Sequence, residues 1–276
     1  MSDEMPVSAE ITSGEAVLTD ELKYSTSPGK EADGAKPQAA LGALGISPVY
    51  LKSSAVQLDP DTLENNRCVA FSGDAPEIES FRLIRTQILQ RTEGRGGVTV
   101  MVTSALPGEG KTLIAVNLAL TFAKEYNQTA LLVDCDLRQQ GVHLALGYAG
   151  EKGLVDYLIR DRPISELMVW PGIEKLTVIS GGRTLTGSSE LLGSPRMRDL
   201  VADMKKRYPE RYVFFDVPSV LTSADPLAFA PLVDYIVVVV QAGKTAVPSI
   251  NRALRMLPRE KIVGLVLNRH GNLEAG

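Results

Sequence analysis

The segment Ala105-Leu106-Pro107-Gly108-Glu109-Gly110-Lys111-Thr112 constrains this chain more than any other. It follows a β-branched apolar run at 98–102 and opens a long, mostly apolar stretch at 111–124. Gly108 and Gly110 allow the backbone to turn so that successive N–H groups face one point. A helix starting at Lys111 adds the positive end of its dipole there. Lys111 brings an ammonium and Thr112 a hydroxyl. This is the pattern of a phosphate-binding loop, with Ala105 in place of the usual first glycine. The strand before it and the helix after it separate it from an ordinary glycine turn. The segment therefore predicts a bound nucleoside triphosphate, with Lys111 facing the β- and γ-phosphates and Thr112 facing magnesium.

The flanking pattern agrees. Ile78, Phe81, Ile84 and Ile88 recur at helical spacing, with Arg82, Arg85 and Arg91 between them. Glycine-bearing turns at 93–97 end that helix. Apolar strands are expected at 98–102, 130–133, 176–179, 212–215, 236–240 and 262–267. Helices are expected at 111–124, 153–160, 196–207 and 247–257. Strands alternating with helices argue for parallel βαβ units. Continuous rather than alternating apolar strands are what burial on both sheet faces requires. The fold class is α/β: a three-layer α/β/α P-loop NTPase with a mainly parallel sheet. Residues 1–66 are rich in Ser, Gly, Ala, Pro and acids. They read as a disordered tail that cannot bury enough apolar surface to offset its ordering entropy. The stretch at 41–51 is more apolar than the rest. The globular domain is placed at 67–276.

Ligands collect at the carboxyl ends of parallel strands. Two expected strands end in aspartate there: Leu131-Leu132-Val133 runs into Asp134-Cys135-Asp136, and Val213-Phe214-Phe215 runs into Asp216. Three buried carboxylates without a partner would each cost several kcal/mol, by rough estimate. A magnesium ion removes that problem. The expected metal set is Thr112, Asp134, Asp136 and Asp216, with Asp216 acting through water. The expected catalytic set is Lys111, Asp134 and Asp136, with the roles of the two aspartates left open. Nucleotide contacts are expected from Pro107, Gly108, Glu109, Gly110, Lys111, Thr112 and Leu113.

Composition excludes other classes. The net charge of −4 gives no basic surplus for nucleic acid. The two cysteines, Cys68 and Cys135, lie far apart and fit neither metal spacing nor a disulfide framework. Cys135 reads as a small buried filler, and a reducing cytoplasm suits both thiols. His143 and His270 are too widely separated for a metal site, and Trp170 reads as packing. The acidic N-terminus has no apolar core of a secretory signal. The longest aliphatic run, 236–240, is far short of the roughly 20 residues of a membrane span.

The Lys111 loop, the segment Leu131-Leu132-Val133-Asp134-Cys135-Asp136-Leu137-Arg138 and the Asp216 strand end together resemble the bacterial tyrosine kinases of capsule and exopolysaccharide biosynthesis, in their stand-alone cytoplasmic form. Glu79-Ser80-Phe81-Arg82-Leu83-Ile84-Arg85 is similar to that family's E-x-x-R-x-x-R motif, and Ser189-Glu190-Leu191-Leu192 to its segment after the second motif. The resemblance covers about 56–270. It implies an ATP-dependent protein tyrosine (auto)kinase using magnesium, with Asp134 or Asp136 accepting the tyrosine proton. It also implies assembly into a ring through Glu79, Arg82 and Arg85. Read without it, those arginines are a solvated helix face. On the same ground Asn268 is expected at the adenine edge. Many relatives fuse a transmembrane chain-length domain. The resemblance therefore implies a separate transmembrane chain-length-determinant activator, which would recruit this chain to the inner face of the membrane.

Relatives also carry a C-terminal tyrosine cluster, whereas 268–276 contains none. The acceptor is then expected elsewhere, with Tyr24 and Tyr50 as the tyrosines outside the globular region. Two other readings stay open. One is a nucleotide-dependent switch of the partitioning and cell-division type, which usually carries a lysine where Leu106 stands. The other is a regulator that binds ATP without kinase activity.

Overall fold

The computed structural model describes residues 53–71 and 75–269. Tyr24, Tyr50, the stretch at 41–51, His270 and most of the tail lie outside the described residues. The strands are β1 (Ser54–Ala55), β2 (Val98–Ser104), β3 (Thr129–Asp134), β4 (Met168–Trp170), β5 (Leu176–Ile179), β6 (Arg211–Asp216), β7 (Tyr235–Gln241) and β8 (Ile262–Asn268). The helices are α1 (Pro60–Asn65), α2 (Ile78–Arg91), α3 (Lys111–Ala123), α4 (Val142–Leu146), α5 (Leu154–Arg160), α6 (Ser189–Leu192), α7 (Pro195–Arg207), α8 (Asp225–Phe229) and α9 (Val247–Met256).

The sheet runs β1-β4-β5-β3-β6-β2-β7-β8. Every pairing is parallel except β4 with β5. Alternation along the central strands divides the core. Val98, Val100 and Val102 of β2, Leu132 of β3, Phe214 of β6 and Val239 of β7 face α1 to α4. Met101, Leu131, Phe215 and Val238, one residue out of step with these, face α5 to α9. Side chains on neighbouring strand positions point to opposite faces, so apolar runs without alternation fill both layers. The expected three-layer α/β/α arrangement follows directly.

α3 is the buried helix of its layer, with every residue from Ile114 to Ala123 inside. Phe122 near its end meets the rings of Tyr212 and Phe214, with centroids 4.5 and 5.0 Å apart. α2 lies over α3 and buries Ile78, Phe81, Ile84 and Ile88, the four residues of the expected apolar stripe.

The N-terminal boundary differs from the sequence reading. Residues 54–66, assigned to the tail on composition, form β1 and α1, and Leu58 and Leu63 enter the core. Asp59 caps α1 by accepting the Thr62 N–H at 3.1 Å, and Pro60 begins the helix. β1 and β4 escaped the reading because two- and three-residue strands carry no measurable period.

Candidate functional site

Register brings the carboxylates together. Asp134 of β3 pairs directly with Asp216 of β6, and Asp216 in turn with Val102 of β2. The loop after β2 therefore opens beside both strand ends. Gly108 and Gly110 have φ of 79° and 93°, left-handed values that favour glycine. Gly110 is the N-cap of α3. A side chain there would also collide with the Asn268 amide.

Lys111 Nζ lies 2.9 Å from Asp136 Oδ2, 3.8 Å from Asp216 Oδ1 and 3.3 Å from Thr112 Oγ1. The Thr112 hydroxyl donates to Asp216 Oδ2 at 2.6 Å. Asp216 Oδ1 is buried and accepts no hydrogen bond among the described residues. Burial lowers the pKa of the Lys111 ammonium, but Asp216 and Asp136 outweigh it and hold the value above ordinary. Burial raises Asp216, with Lys111 and Thr112 opposing it.

Asp134 is fully buried and turned into its own loop. Its Oδ1 accepts Asp136 N–H at 3.1 Å, and its Oδ2 accepts Gly141 and Val142 N–H at 3.0 and 3.1 Å. Burial first and Asp216 second push its carboxyl up to about 8. Asp136 Oδ1 accepts Gln139 N–H at 2.9 Å, which leaves Oδ2 for Lys111. Three carboxylates thus face one ammonium, and one buried oxygen is orphaned. A divalent cation fits that imbalance. Among the described residues no group of three or more His, Cys, Asp or Glu could hold a metal alone.

The remaining predicted residues divide. Glu109 is buried and serves the loop itself. It accepts Leu106 N–H at 2.8 Å and the Thr245 hydroxyl, and its carbonyl accepts Asn268 Nδ2 at 2.8 Å. Asn268, expected at the adenine edge, here braces the phosphate loop from the end of β8. Glu79 and Arg82 form an exposed pair at 3.1 Å. Arg85 instead reaches across to α3, donating to Thr121 O at 3.0 Å and pairing with Glu125 at 3.1 Å. Cys135 is buried, and burial followed by Asp134 drives its thiol well above its ordinary pKa. It is the inert filler the sequence implied.

The sequence reading passed over Thr245, Ser188 and Asp225, and left Arg138 without a role. Each acts through contacts across more than thirty residues, and no local spacing announces such contacts.

A family of AAA domains matches residues 98–261. Tyrosine-protein kinase YwqD of Bacillus subtilis (strain 168) is 33% identical over 192 residues, 69% of this chain and 80% of YwqD. The succinoglycan biosynthesis transport protein ExoP of Rhizobium meliloti (strain 1021) is 32% identical over 230 residues, 78% of this chain but 28% of ExoP. The crystal structure of the chimerical protein CapA2B2 matches with a TM-score of 0.68 and 26% identity, covering 81% of this chain and 94% of that one.

Proposed function

Because this chain belongs to the AAA-domain family of P-loop proteins and, within it, to the bacterial tyrosine-protein kinases, we propose that it is an ATP-dependent protein-tyrosine kinase regulating exopolysaccharide or capsule polymerisation or export. The observation that carries this reading is the Lys111 ammonium, held between Asp136 and Asp216 at the mouth of a glycine-turned loop.

The backbone N–H groups from Gly108 to Thr112 and the start of α3 receive the phosphates of ATP. Thr112 and Asp216 would hold magnesium, which would supply charge neutralisation at the transferred phosphoryl group. Phosphoryl transfer asks the protein mainly for positioning and charge stabilisation. Lys111 turns from Asp136 to the β- and γ-phosphates when ATP enters. That exchange frees Asp136 Oδ2 to accept the tyrosine proton. Asp134, with three backbone donors on its carboxylate, shapes the 134–142 loop and does not abstract the proton.

Leu106 favours the kinase reading over the partitioning-type switch, because the residue resembling the switch lysine is apolar here. Among the described residues no helix is long and apolar enough to cross a membrane. A separate transmembrane chain-length-determinant partner supplies recruitment to the inner membrane face. Self-association through the α2 face of Glu79 and Arg82 builds the ring.

The test is incubation of the purified protein with ATP and magnesium, followed by mass spectrometry for phosphotyrosine. Phosphotyrosine in wild type and none in Lys111→Met is expected. ATP hydrolysis with no phosphotyrosine on the protein or on added acceptor peptides would leave only a nucleotide-dependent regulator.

A further inference from the structure

Arg138 stands two residues beyond Asp136. Its Nε lies 3.3 Å from Ser188 Oγ and 3.9 Å from Asp225 Oδ2. The Ser188 hydroxyl donates to the same Asp225 oxygen at 2.5 Å. Ser188 and Asp225 are fully buried, and Asp225 Oδ1 accepts no hydrogen bond among the described residues. The loop around Ser188 is tied to the Arg138 loop a second time, by Leu185 N–H donating to Leu137 O at 2.9 Å. Arg138 is therefore clamped on its Nε side by a buried hydroxyl and carboxylate. Its side chain is still 45% exposed, and neither Nη group donates a hydrogen bond among the described residues.

A guanidinium fixed on one side and solvent-exposed on the other, with the exposed Glu190 carboxylate near enough to feel its charge, offers its planar Nη pair to an anion, the geometry that binds carboxylates in a fork. The position of the clamp selects the anion. α6 and α8 pack on the sheet face opposite α3. Arg138 thus lies across the row of strand-end carboxylates from the helix that receives the nucleotide phosphates. An acceptor approaching on that side meets Arg138. The Asp136 carboxylate, 2.9 Å from Lys111, disfavours an acidic segment arriving there, and a fixed cation offsets that.

We propose that Arg138 is an acceptor-binding residue, with Ser188 and Asp225 as its positioning residues, and that the site takes tyrosines flanked by acidic side chains. This rests on the kinase reading. The chain itself carries Asp20 and Glu21 four and three residues before Tyr24, with Lys23 next to the tyrosine.

The test uses the full chain with ATP and magnesium and two synthetic peptides. One carries residues 17–27, and the other is the same peptide with Asp20→Asn and Glu21→Gln. Wild type is expected to show a KM at least about tenfold lower for the acidic peptide, the scale of one charged hydrogen bond, with similar kcat on both. In Arg138→Ala the KM preference falls to about onefold; Arg138→Lys keeps part of it. Ser188→Ala reduces the preference less than Arg138→Ala does. A preference that survives Arg138→Ala, or its absence in wild type, overturns the proposal. An equal kcat loss on both peptides in Arg138→Ala also overturns it, and places Arg138 on the phosphoryl group instead. No transfer to either peptide by wild type overturns this proposal, and only if the protein itself also gains no phosphotyrosine is the kinase reading removed with it.

Discussion

Lys111, Asp134, Asp136 and Asp216 set the balance on which the site depends. Lys111→Met removes the ammonium that faces the phosphates and leaves the carboxylates without their counter-charge. ATP affinity measured by isothermal titration should fall at least tenfold, given about 1.5–3 kcal/mol for a charged hydrogen bond. Unchanged affinity would displace the phosphate loop from the site. The same balance predicts a pH dependence. In the folded protein Asp134 holds its proton up to about 8, against an ordinary value of 3.8. A raised value means that the group's contribution to stability is complete below about pH 4 and is withdrawn as pH climbs toward about 8. Asp216, also raised, acts with the same sign, whereas the Lys111 shift acts only above pH 10.5, outside this window. The nucleotide-free protein should therefore melt at a lower temperature near pH 8.5 than near pH 5.5, and magnesium with nucleotide should flatten the difference. Asp216→Asn removes a buried charge that ionisation makes costly. Its nucleotide-free melting point should exceed wild type near pH 8, with the gap shrinking toward about pH 5.5 and the stabilisation by magnesium nucleotide lost. A variant that melts below wild type at both pH values would show that the carboxylate contributes more by its Thr112 bond than it costs by its charge.

At the scale of elements, α2 carries two arginines with different work. Arg82 pairs on the surface with Glu79, an interaction worth about 0–1 kcal/mol. Arg85 joins α2 to α3 through Thr121 and Glu125. If the α2 face builds the ring, Arg82→Glu should lower the mass measured by light scattering while leaving the urea midpoint within experimental scatter. Arg85→Glu should lower both, because it sets a carboxylate against Glu125 and costs about 1–3 kcal/mol of stability. An oligomer that survives both reversals returns Arg82 to a solvated face. Helical spacing places Arg82 and Arg85 on neighbouring positions of one face, and it cannot tell a free arginine from one committed to the next helix. The glycine-turned start of α3 is different. There the motif alone specifies the backbone, and the structure adds the Asn268 and Glu109 brace from a strand more than 150 residues later.

For the molecule as a whole, the open question is which tyrosine receives phosphate. Among the described residues Tyr126 and Tyr208 are the exposed ones, at 49% and 38%. Tyr24 and Tyr50 lie outside the described residues and remain the acceptors proposed from sequence. Tyr24→Phe with Tyr50→Phe should abolish the phosphotyrosine found by mass spectrometry after incubation with ATP. Persistent signal moves the acceptor onto the domain, with Tyr126 and Tyr208 the first to map. Strands β2, β3 and β5 to β8, the two apolar layers, the phosphate loop and the three aspartates at or just past strand ends were legible in the chain. Each is written in neighbouring residues: a buried strand in its apolar run, a phosphate loop in its glycines, a strand-end carboxylate in the residue that follows. The division of labour among those groups was not legible. That Asp134 satisfies its own loop, that Asp136 holds Lys111, that Arg85 binds α3 and that Ser188 and Asp225 clamp Arg138 were all decided by tertiary structure. Each rests on a few polar contacts, made within a loop by Asp134 and between distant segments by the others. Such a contact has no period in sequence and exists only once the packing of both sheet faces has fixed which loops meet.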